Sequence, residues 1–585
     1  MFSKNYDSVF SGRTVICFLI IISLFFSCIL RVAVISASDY SQVQKDQSSY
    51  RLSAGKLRGT VYDRNMVPIT NSEKKIIASV SPTPRAVTAI SSVLSGEELE
   101  NVLERLKSGK PVLCEVPEVI DCDGIACTYV YEHNSAETPA IHLIGYTDSD
   151  LRGVSGIEKA YDGILYSDSE AAFVYTSDGQ GKILEGIAPE IENDSSVTAG
   201  GVVTTLDINI QLIAEEAAEA IERGAVIIAD AETAEIRAAV SRPWFDCTDI
   251  SSYLDAENSP LLNRALAAYN VGSVFKPCVA AAGIESGNAG FTYTCTGSCE
   301  IIDRFFKCHK LDGHGLMNLK TGLANSCNTF FYNFAFLIGG EKIYNTASSL
   351  NFGKSFEICS GISTARGSLP APDTLLNIAH LANFSIGQGE LLLSPVSMLT
   401  LYCAIAYDGS YLLPSAVSGT YTGGKFTPYK TAARTRVMSE ETAALLREYL
   451  KAVIEEGTGT SAKPKNVSAA GKTATAQTGQ YENGAEICEG WFCGFFPAEN
   501  PQYTAIIFSE DITAQSLSCG EIFAEIADKT AALENTEYEK TSPPENQADS
   551  ACRKSRHALG RGCRSLGNQS FPDCTLSPPI PPLCP

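Results

Sequence analysis

The sequence predicts an α/β (α+β) catalytic domain with a central, mostly antiparallel sheet flanked by helices. An elongated α+β pedestal and one N-terminal transmembrane helix precede it. Three observations carry this prediction: an apolar run near the N-terminus, a change of texture near Val202, and strand patterns that return near the end of a helix-rich stretch. Length agrees, because 585 residues exceed what one hydrophobic core organises and imply two or three folded regions.

The apolar run comes first. Val15–Leu30 reads VICFLIIISLFFSCIL, with Arg13 before it and Arg31 after it. With Arg31 snorkelling, the stretch continues through Val32–Ile35 and reaches the roughly 20 residues that cross a bilayer. Residues 14–36 are assigned as the anchor and 1–13 as a cytoplasmic tail, the side that Lys4 and Arg13 favour. The alternative is a cleaved signal peptide, for which Ser36-Ala37-Ser38 makes a poor cleavage site. Either reading places the chain beyond Ser38 outside the cytoplasm, as the ectodomain of a single-pass protein of the cell membrane.

Residues 39–201 are mixed and polar, with strand-like runs at Lys75–Val80 and Ile141–Gly145. Leu99, Val102, Leu103 and Leu106 recur at helical spacing and predict a helix over Gly96–Lys107. This is the pedestal or dimerisation domain. Residues 202–533 form the catalytic domain. VVTTLDINIQ begins it with a strand, and Asp207–Gly224 carries a helix with Ile210, Ile213, Ala214, Ala217, Ala220 and Ile221 on one side. Gly224–Asp230 and Glu235–Val240 are strands joined closely enough to make a hairpin. Helix-rich sequence extends over Val279–Leu350 and Pro395–Ala406, then a helix over Glu440–Glu456. Strands return at Trp491–Phe496 and Tyr503–Phe508, before a last helix at Glu521–Leu533. Residues 534–585, rich in Pro, Ser and Gln and then basic, cannot form a core and read as a disordered tail; a shifted reading frame past Asp549 is the alternative.

Composition narrows the function. The hydrophobic fraction of 44% and charged fraction of 19% are those of a folded protein. A net charge of −22 argues against a nucleic-acid partner, which needs a basic face. The 20 cysteines give no connectivity.

An acyl-transfer serine needs a base within reach, donors for the oxyanion and a pocket that fixes the acyl donor. Ser273-Val274-Phe275-Lys276 supplies the first pair: if Ser273 opens a helix, Lys276 lies one turn on, on the same face. Burial and nearby cations would lower its amine into a basic role. Ser326-Cys327-Asn328 comes after a helical Leu319–Ala324 and can aim a hydroxyl at the lysine and an amide at a substrate carbonyl. Gly471-Lys472-Thr473-Ala474-Thr475-Ala476 is a strand able to bind a carboxylate and lend a backbone N–H. Each pattern alone has an ordinary reading: an exposed helix turn, a helix cap, an edge strand with a solvated lysine. In this order and spacing they make a joint signal.

These motifs make the chain resemble the class B penicillin-binding proteins, monofunctional peptidoglycan transpeptidases of bacterial division and spore cortex synthesis. Arg58-Gly59-Thr60-Val61-Tyr62-Asp63-Arg64-Asn65 and Gly153-Val154-Ser155-Gly156-Ile157-Glu158 resemble the family's pedestal motifs. Phe384-Ser385-Ile386-Gly387-Gln388-Gly389, Gly457-Thr458-Gly459-Thr460 and Trp491-Phe492-Cys493-Gly494-Phe495 resemble segments around its catalytic motifs. The resemblance implies a penicillin-binding/β-lactamase-like domain in which Ser273 attacks a stem pentapeptide, releases D-Ala and is resolved by a neighbouring stem amine. It implies Lys276 as general base, Ser326 as proton relay and Asn328 as donor-orienting group. It implies Lys472 and Thr473 on the terminal carboxylate, Thr475 near the substrate, and backbone N–H groups of Ser273 and Thr475 as the oxyanion hole. It also implies β-lactams as covalent inhibitors and partners among polytopic glycan polymerases and other divisome or elongation proteins. No cofactor is implied.

Ala474 departs from the family's usual Lys-Thr-Gly; a methyl is the smallest intrusion on the strand surface, so activity is expected to survive with altered β-lactam affinity. Cys327 is read as packing. Cys295, Cys299, Cys308, His309 and His314 have a spacing that permits zinc, but a disulfide or free thiols are preferred and no metal is assigned. Rival readings fare worse. A β-lactamase needs a carboxylate for its water, and Asp373-Thr374-Leu375-Leu376-Asn377 offers only a short Asp. The pedestal motifs disfavour a carboxypeptidase. A sensor needs further membrane helices, a scaffold would have lost Ser273 and Lys276, and a glycosyltransferase needs another domain ahead of the pedestal.

Overall fold

In the computed structural model, residues 4–37, 49–178, 180, 182–184, 186–192, 200–430, 432–482, 485–510 and 518–541 are described. The expected tail lies outside them from residue 542 on. Helix α1 (Lys4–Ala37) contains the apolar run, and its Gly12–Ser36 segment is the one helix among the described residues long and apolar enough to cross a membrane.

The pedestal has two small sheets. Ser49–Lys56 pairs with Glu170–Thr176, and Glu73–Val80 lies between Val112–Val116 and Ile125–Glu132. Helix Gly96–Leu106 forms where the helical spacing of its leucines places it. It buries Val102 and Leu106 with Ile90, Val80 and Val112 in a separate hydrophobic cluster. Ile141–Gly145, expected as a strand, contains a short helix at Ile141–Ile144; an apolar run of that length carries no period to tell the two apart.

The first pedestal motif ties this region to the catalytic domain. Thr60–Tyr62 pairs in parallel with Gly201–Thr204, which in turn pairs with Val417–Thr422. Arg58, buried, bonds through Nε to Glu158 Oε2 at 2.7 Å and through Nη1 to Asp162 Oδ1 at 2.7 Å. His133 Nε2 meets the other Glu158 oxygen at 2.9 Å. Each pedestal motif thus contributes one residue, Arg58 or Glu158, to a cluster that Asp162 and His133 complete.

The central sheet has five strands: β1 (Gly224–Asp230), β2 (Ile236–Arg242), β3 (Ala470–Glu482), β4 (Ala485–Phe496) and β5 (Tyr503–Ser509). Its order is β2-β1-β5-β4-β3, antiparallel throughout, so the N-terminal hairpin and the C-terminal strands close one sheet. Around it stand α2 (Lys276–Glu285), α3 (Leu319–Ala324), α4 (Asn328–Ile338), α5 (Pro395–Ala406) and α6 (Glu440–Glu456). All twelve residues of α5 are buried, in keeping with a mostly apolar sequence whose Ser397 and Thr400 hydroxyls are hydrogen-bonded.

Three boundaries differ from expectation. The helix expected to Gly224 ends at Ala217 and tightens into a 3-10 turn at Ala218–Ala220. Between α2 and α4, where helix was expected, two hairpins intervene: Thr292–Cys295 with Gly315–Asn318, and Ser298–Ile301 with Arg304–Lys307. The last helix runs from Cys519 to Thr541, past the expected Leu533.

Candidate active site

Ser273 lies in a 3-10 turn, Gly272–Phe275, and Lys276 rather than Ser273 begins helix α2. Pro277 explains the start, since proline has no N–H to give and suits the first helical turn. Gly272 has φ +60, and a Cβ there would stand 3.2 Å from Ala476 Cβ and 3.4 Å from Ala474 Cβ. Its N–H donates to Gly387 O at 2.9 Å, so the Phe384–Gly389 segment holds the turn from one side. From the core, Tyr402 on α5 donates its hydroxyl to Val274 O at 3.0 Å, and Phe275 packs on Phe384 with ring centroids 5.0 Å apart. On the sheet side, Trp491 Nε1 donates to Asn270 O at 2.8 Å. The turn is therefore fixed from three directions.

Lys276 is fully buried and reaches across to the second motif. Its Nζ lies 2.7 Å from Ser326 O, 3.1 Å from Ser326 Oγ and 2.8 Å from Asn328 Oδ1. Burial pushes its amine down from 10.5 to about 7. Ser326 adopts φ +52, in the left-handed region that costs a side-chain-bearing residue energy. That conformation aims both its carbonyl and its hydroxyl at one amine. It is held by the N–H groups of Ser326 and Cys327, which donate to Leu323 O at 3.1 Å and Gly322 O at 2.9 Å. Asn328 begins α4.

The third motif is on β3, at the free edge of the sheet. Alternation sends Lys472, Ala474 and Ala476 inward and leaves Thr475 exposed and Thr473 half-buried. Lys472 is fully buried; burial and then the charge of Lys276 hold its amine well below the ordinary lysine range. Thr473 Oγ1 is 3.2 Å from Thr458 Oγ1, and Thr458 N–H donates to Ala324 O at 2.9 Å, so α3 and β3 are bridged at the cleft. The Ala474 methyl is packed under Gly272, not on open strand surface.

The structure thus gathers Lys276, Ser326 and Asn328 by direct bonds and sets Ser273 and Lys472 on the two elements that flank them. Tyr402 bonds the turn and no sequence pattern marks it, whereas Gly387 lies in the Phe384–Gly389 segment that the sequence singles out. Only the fold shows that the Tyr402 hydroxyl, on a fully buried helix, reaches the turn. Of the residues weighed for metal, Cys295, Cys308 and His314 come together; Cys299 and His309 stay outside the group, and Cys327 joins it. Asp373 is exposed on a 3-10 turn that packs on helix Gly340–Ser349.

The family described as the penicillin binding protein transpeptidase domain matches residues 224–528. Among curated proteins, the peptidoglycan D,D-transpeptidase MrdA of Acinetobacter baumannii is 27% identical over 428 residues, covering 66% of this chain and 61% of that protein. Stage V sporulation protein D of Bacillus subtilis is 25% identical over 506 residues, covering 80% and 76%. Among solved structures, the D,D-transpeptidase domain of a peptidoglycan glycosyltransferase from Eggerthella lenta superposes with a TM-score of 0.60 at 22% identity, over 82% of this chain and 99% of that one. This likeness shows the fold. With its transpeptidase domain spanning more than half of its 585 residues, the chain belongs to the penicillin-binding protein transpeptidase family, among the class B members.

Proposed function

We propose that the protein is a peptidoglycan D,D-transpeptidase that cross-links stem peptides through an acyl-serine on Ser273. The observation that carries this reading is the buried Lys276 amine, one turn after Ser273 and bonded to Ser326 and Asn328. A lysine lowered to about 7 accepts a serine proton near neutral pH. Its three acceptors suit the charged form. When the amine is neutral, the Ser326 hydroxyl turns and donates to it, which opens a relay from Ser273 to the leaving amine. Lys472, buried beside Lys276 without a carboxylate partner among the described residues, is a receptor for the carboxylate of a terminal D-Ala. Backbone N–H groups of Ser273 and Thr475 receive the oxyanion. Thr473 and Thr475 line the edge where donor and acceptor stems lie. Asp373 sits exposed on its own 3-10 turn and, among the described residues, is not a hydrogen-bond partner of Lys276, which favours resolution by an amine over hydrolysis.

Helix α1 anchors the chain in the cell membrane, with residues 1–13 cytoplasmic and the pedestal and catalytic regions outside. A role in division, elongation or sporulation implies a polytopic glycan polymerase as partner. The test is labelling of the detergent-solubilised protein with fluorescent penicillin. Wild type is expected to form a covalent adduct and Ser273→Ala none; equal labelling of both, or of neither, removes Ser273 as nucleophile.

A further inference from the structure

Glu489 is a buried acid that the transpeptidase mechanism leaves unused. It lies on β4 two residues before Trp491, so the two side chains share the inward face of the sheet. The residue is 8% exposed, and its buried Oε2 has no hydrogen-bond partner among the described residues. Glu510, just past β5, is paired with Arg264 at 3.0 Å and Arg223 at 3.6 Å, whereas Glu489 has no ion pair among the described residues. Buried polar atoms are nearly always partnered, and a buried carboxyl with a bare oxygen costs stability that an apolar side chain in its place does not. A carboxyl kept at such a position needs a function that offsets this cost.

The group it meets is Asn270, three residues ahead of Ser273. Burial first, and then the neighbouring Glu510, push the Glu489 carboxyl up to about 7, against hydrogen bonds from the Asn270 N–H and side-chain amide. Asn270 O receives Trp491 Nε1 at 2.8 Å, and Asn270 pairs with Leu392 at the end of a two-residue strand. From there the chain passes through Val271 to Gly272, whose φ of +60 opens the nucleophile turn. Glu489 also reaches that turn through the sheet. Its cross-strand partner is Ala476, whose Cβ lies 3.2 Å from where a Gly272 Cβ would stand. One residue therefore supports the turn twice, by its backbone from the sheet below and by its carboxyl from the strand that leads in.

We propose that Glu489 is a positioning residue for Ser273: its carboxyl fixes Asn270, and Asn270 sets where the turn stands against Lys276 and β3. The carboxyl accepts from two donors of one residue, a role that glutamine can take over and an apolar side chain cannot. Lys276 is held separately, by Ser326 and Asn328, so loosening Asn270 shifts the nucleophile while the base stays in place. A misplacement of about 1 Å between reacting groups costs about 10²-fold in rate. The effect on acylation rests on the reading of Ser273 as nucleophile; the ordering of the turn does not.

The full chain in detergent is labelled over a range of fluorescent-penicillin concentrations, which separates the half-saturating concentration from the limiting acylation rate. Glu489→Val, which fills the space without an acceptor, is expected to lower the limiting rate by about 10–100-fold and to change the half-saturating concentration by less than about threefold. Glu489→Gln should stay within about threefold of wild type. Asn270→Ala should match Glu489→Val, and the double variant should be no slower than either alone. In hydrogen exchange, the amides of residues 270–273 should lose protection in Glu489→Val and keep it in Glu489→Gln. A wild-type limiting rate in Glu489→Val would overturn the proposal, as would unchanged exchange over residues 270–273 or a Glu489→Gln protein as slow as Glu489→Val. If Glu489→Val does not fold, Asn270→Ala decides, and a wild-type rate there overturns the proposal. If Ser273→Ala labels like wild type, the nucleophile reading falls, and the exchange data alone decide whether Glu489 orders the turn.

Discussion

Two clusters of buried charge divide the molecule, and they are built on opposite rules. In the pedestal, Arg58 and Glu158 are both fully buried at their side chains and paired at 2.6 Å, with Asp162 and His133 completing the set. In the catalytic domain, Lys276 and Lys472 are equally buried, yet neither has an ion pair among the described residues. Their partners are neutral oxygens. A paired buried charge offsets its desolvation by local attraction and becomes a strut. An unpaired one is pushed toward neutrality and becomes either a base or a receptor for an anion. The same burial therefore yields rigidity in one region and reactivity in the other.

The largest effect should come from removing the unpaired charge. Lys276→Met is expected to slow penicillin acylation by about 10²–10⁴-fold, measured as the second-order labelling rate, with little loss of stability. A fall of less than about tenfold would mean that another group takes the proton. Removing one member of the paired cluster should do the reverse. Glu158→Ala leaves buried Arg58 with Asp162 as its one remaining carboxylate and removes the partner of His133, and should cost about 3–5 kcal/mol of stability in denaturant melts. The molecules that stay folded should label at the wild-type rate, since the cluster touches no group at Ser273.

The pH profile sharpens the contrast. On the proposed mechanism Lys276 is the base when neutral, so with its amine held to about 7 the acylation rate should fall about tenfold per pH unit below that value and level off above it. The same shift costs stability: the unfolded amine keeps its proton up to 10.5, so the cost is absent above 10.5, grows as pH falls, and is complete below about 7. Glu489, also pushed up to about 7 by burial and bonded to the Asn270 backbone ahead of the Ser273 turn, titrates in the same window. Glu489→Gln separates the two: a limb that persists in this variant belongs to Lys276.

Much of this was legible in the sequence because it rests on local pattern. The strands Gly224–Asp230 and Tyr503–Ser509 and the helix Glu440–Glu456 arise from runs of apolar residues and from Gly457 as a stop. Order and spacing singled out Ser273, Lys276, Ser326, Asn328 and Lys472, of which the fold joins Lys276, Ser326 and Asn328 by direct bonds. The two hairpins after α2 were not, because their strands are four residues each and leave Phe305, Leu311 and Leu316 exposed, so no amphipathic alternation marks them. The hairpins also hide Cys327 as a neighbour of Cys308: residues nineteen apart in sequence meet only once the hairpins fold. The turn at Ser273 departs from a helix start for a local reason, since Pro277 delays the α-helix to Lys276.

Smaller effects test how the reactive cluster is held. Tyr402→Phe removes one buried hydrogen bond and leaves Val274 O without its donor, for a loss of about 1–3 kcal/mol of stability. If the bond aims the Ser273 turn, acylation should slow as well; if it only stabilises the core, the labelling rate of folded protein should stay unchanged.

Ala474 gives the finest test, because its sequence position and its place in the fold point to different outcomes. Seen as strand surface, its methyl would intrude on a bound β-lactam, and Ala474→Gly should raise the labelling rate. In the structure the methyl is packed beneath Gly272, on the face of β3 away from exposed Thr475. Glycine there adds backbone freedom and should cost about 0.5–1 kcal/mol of stability. The labelling rate should change by less than about threefold, an energy of roughly 0.6 kcal/mol. A rise of tenfold or more would place the methyl against the ligand and would mean that the Gly272 turn moves when Ser273 is acylated.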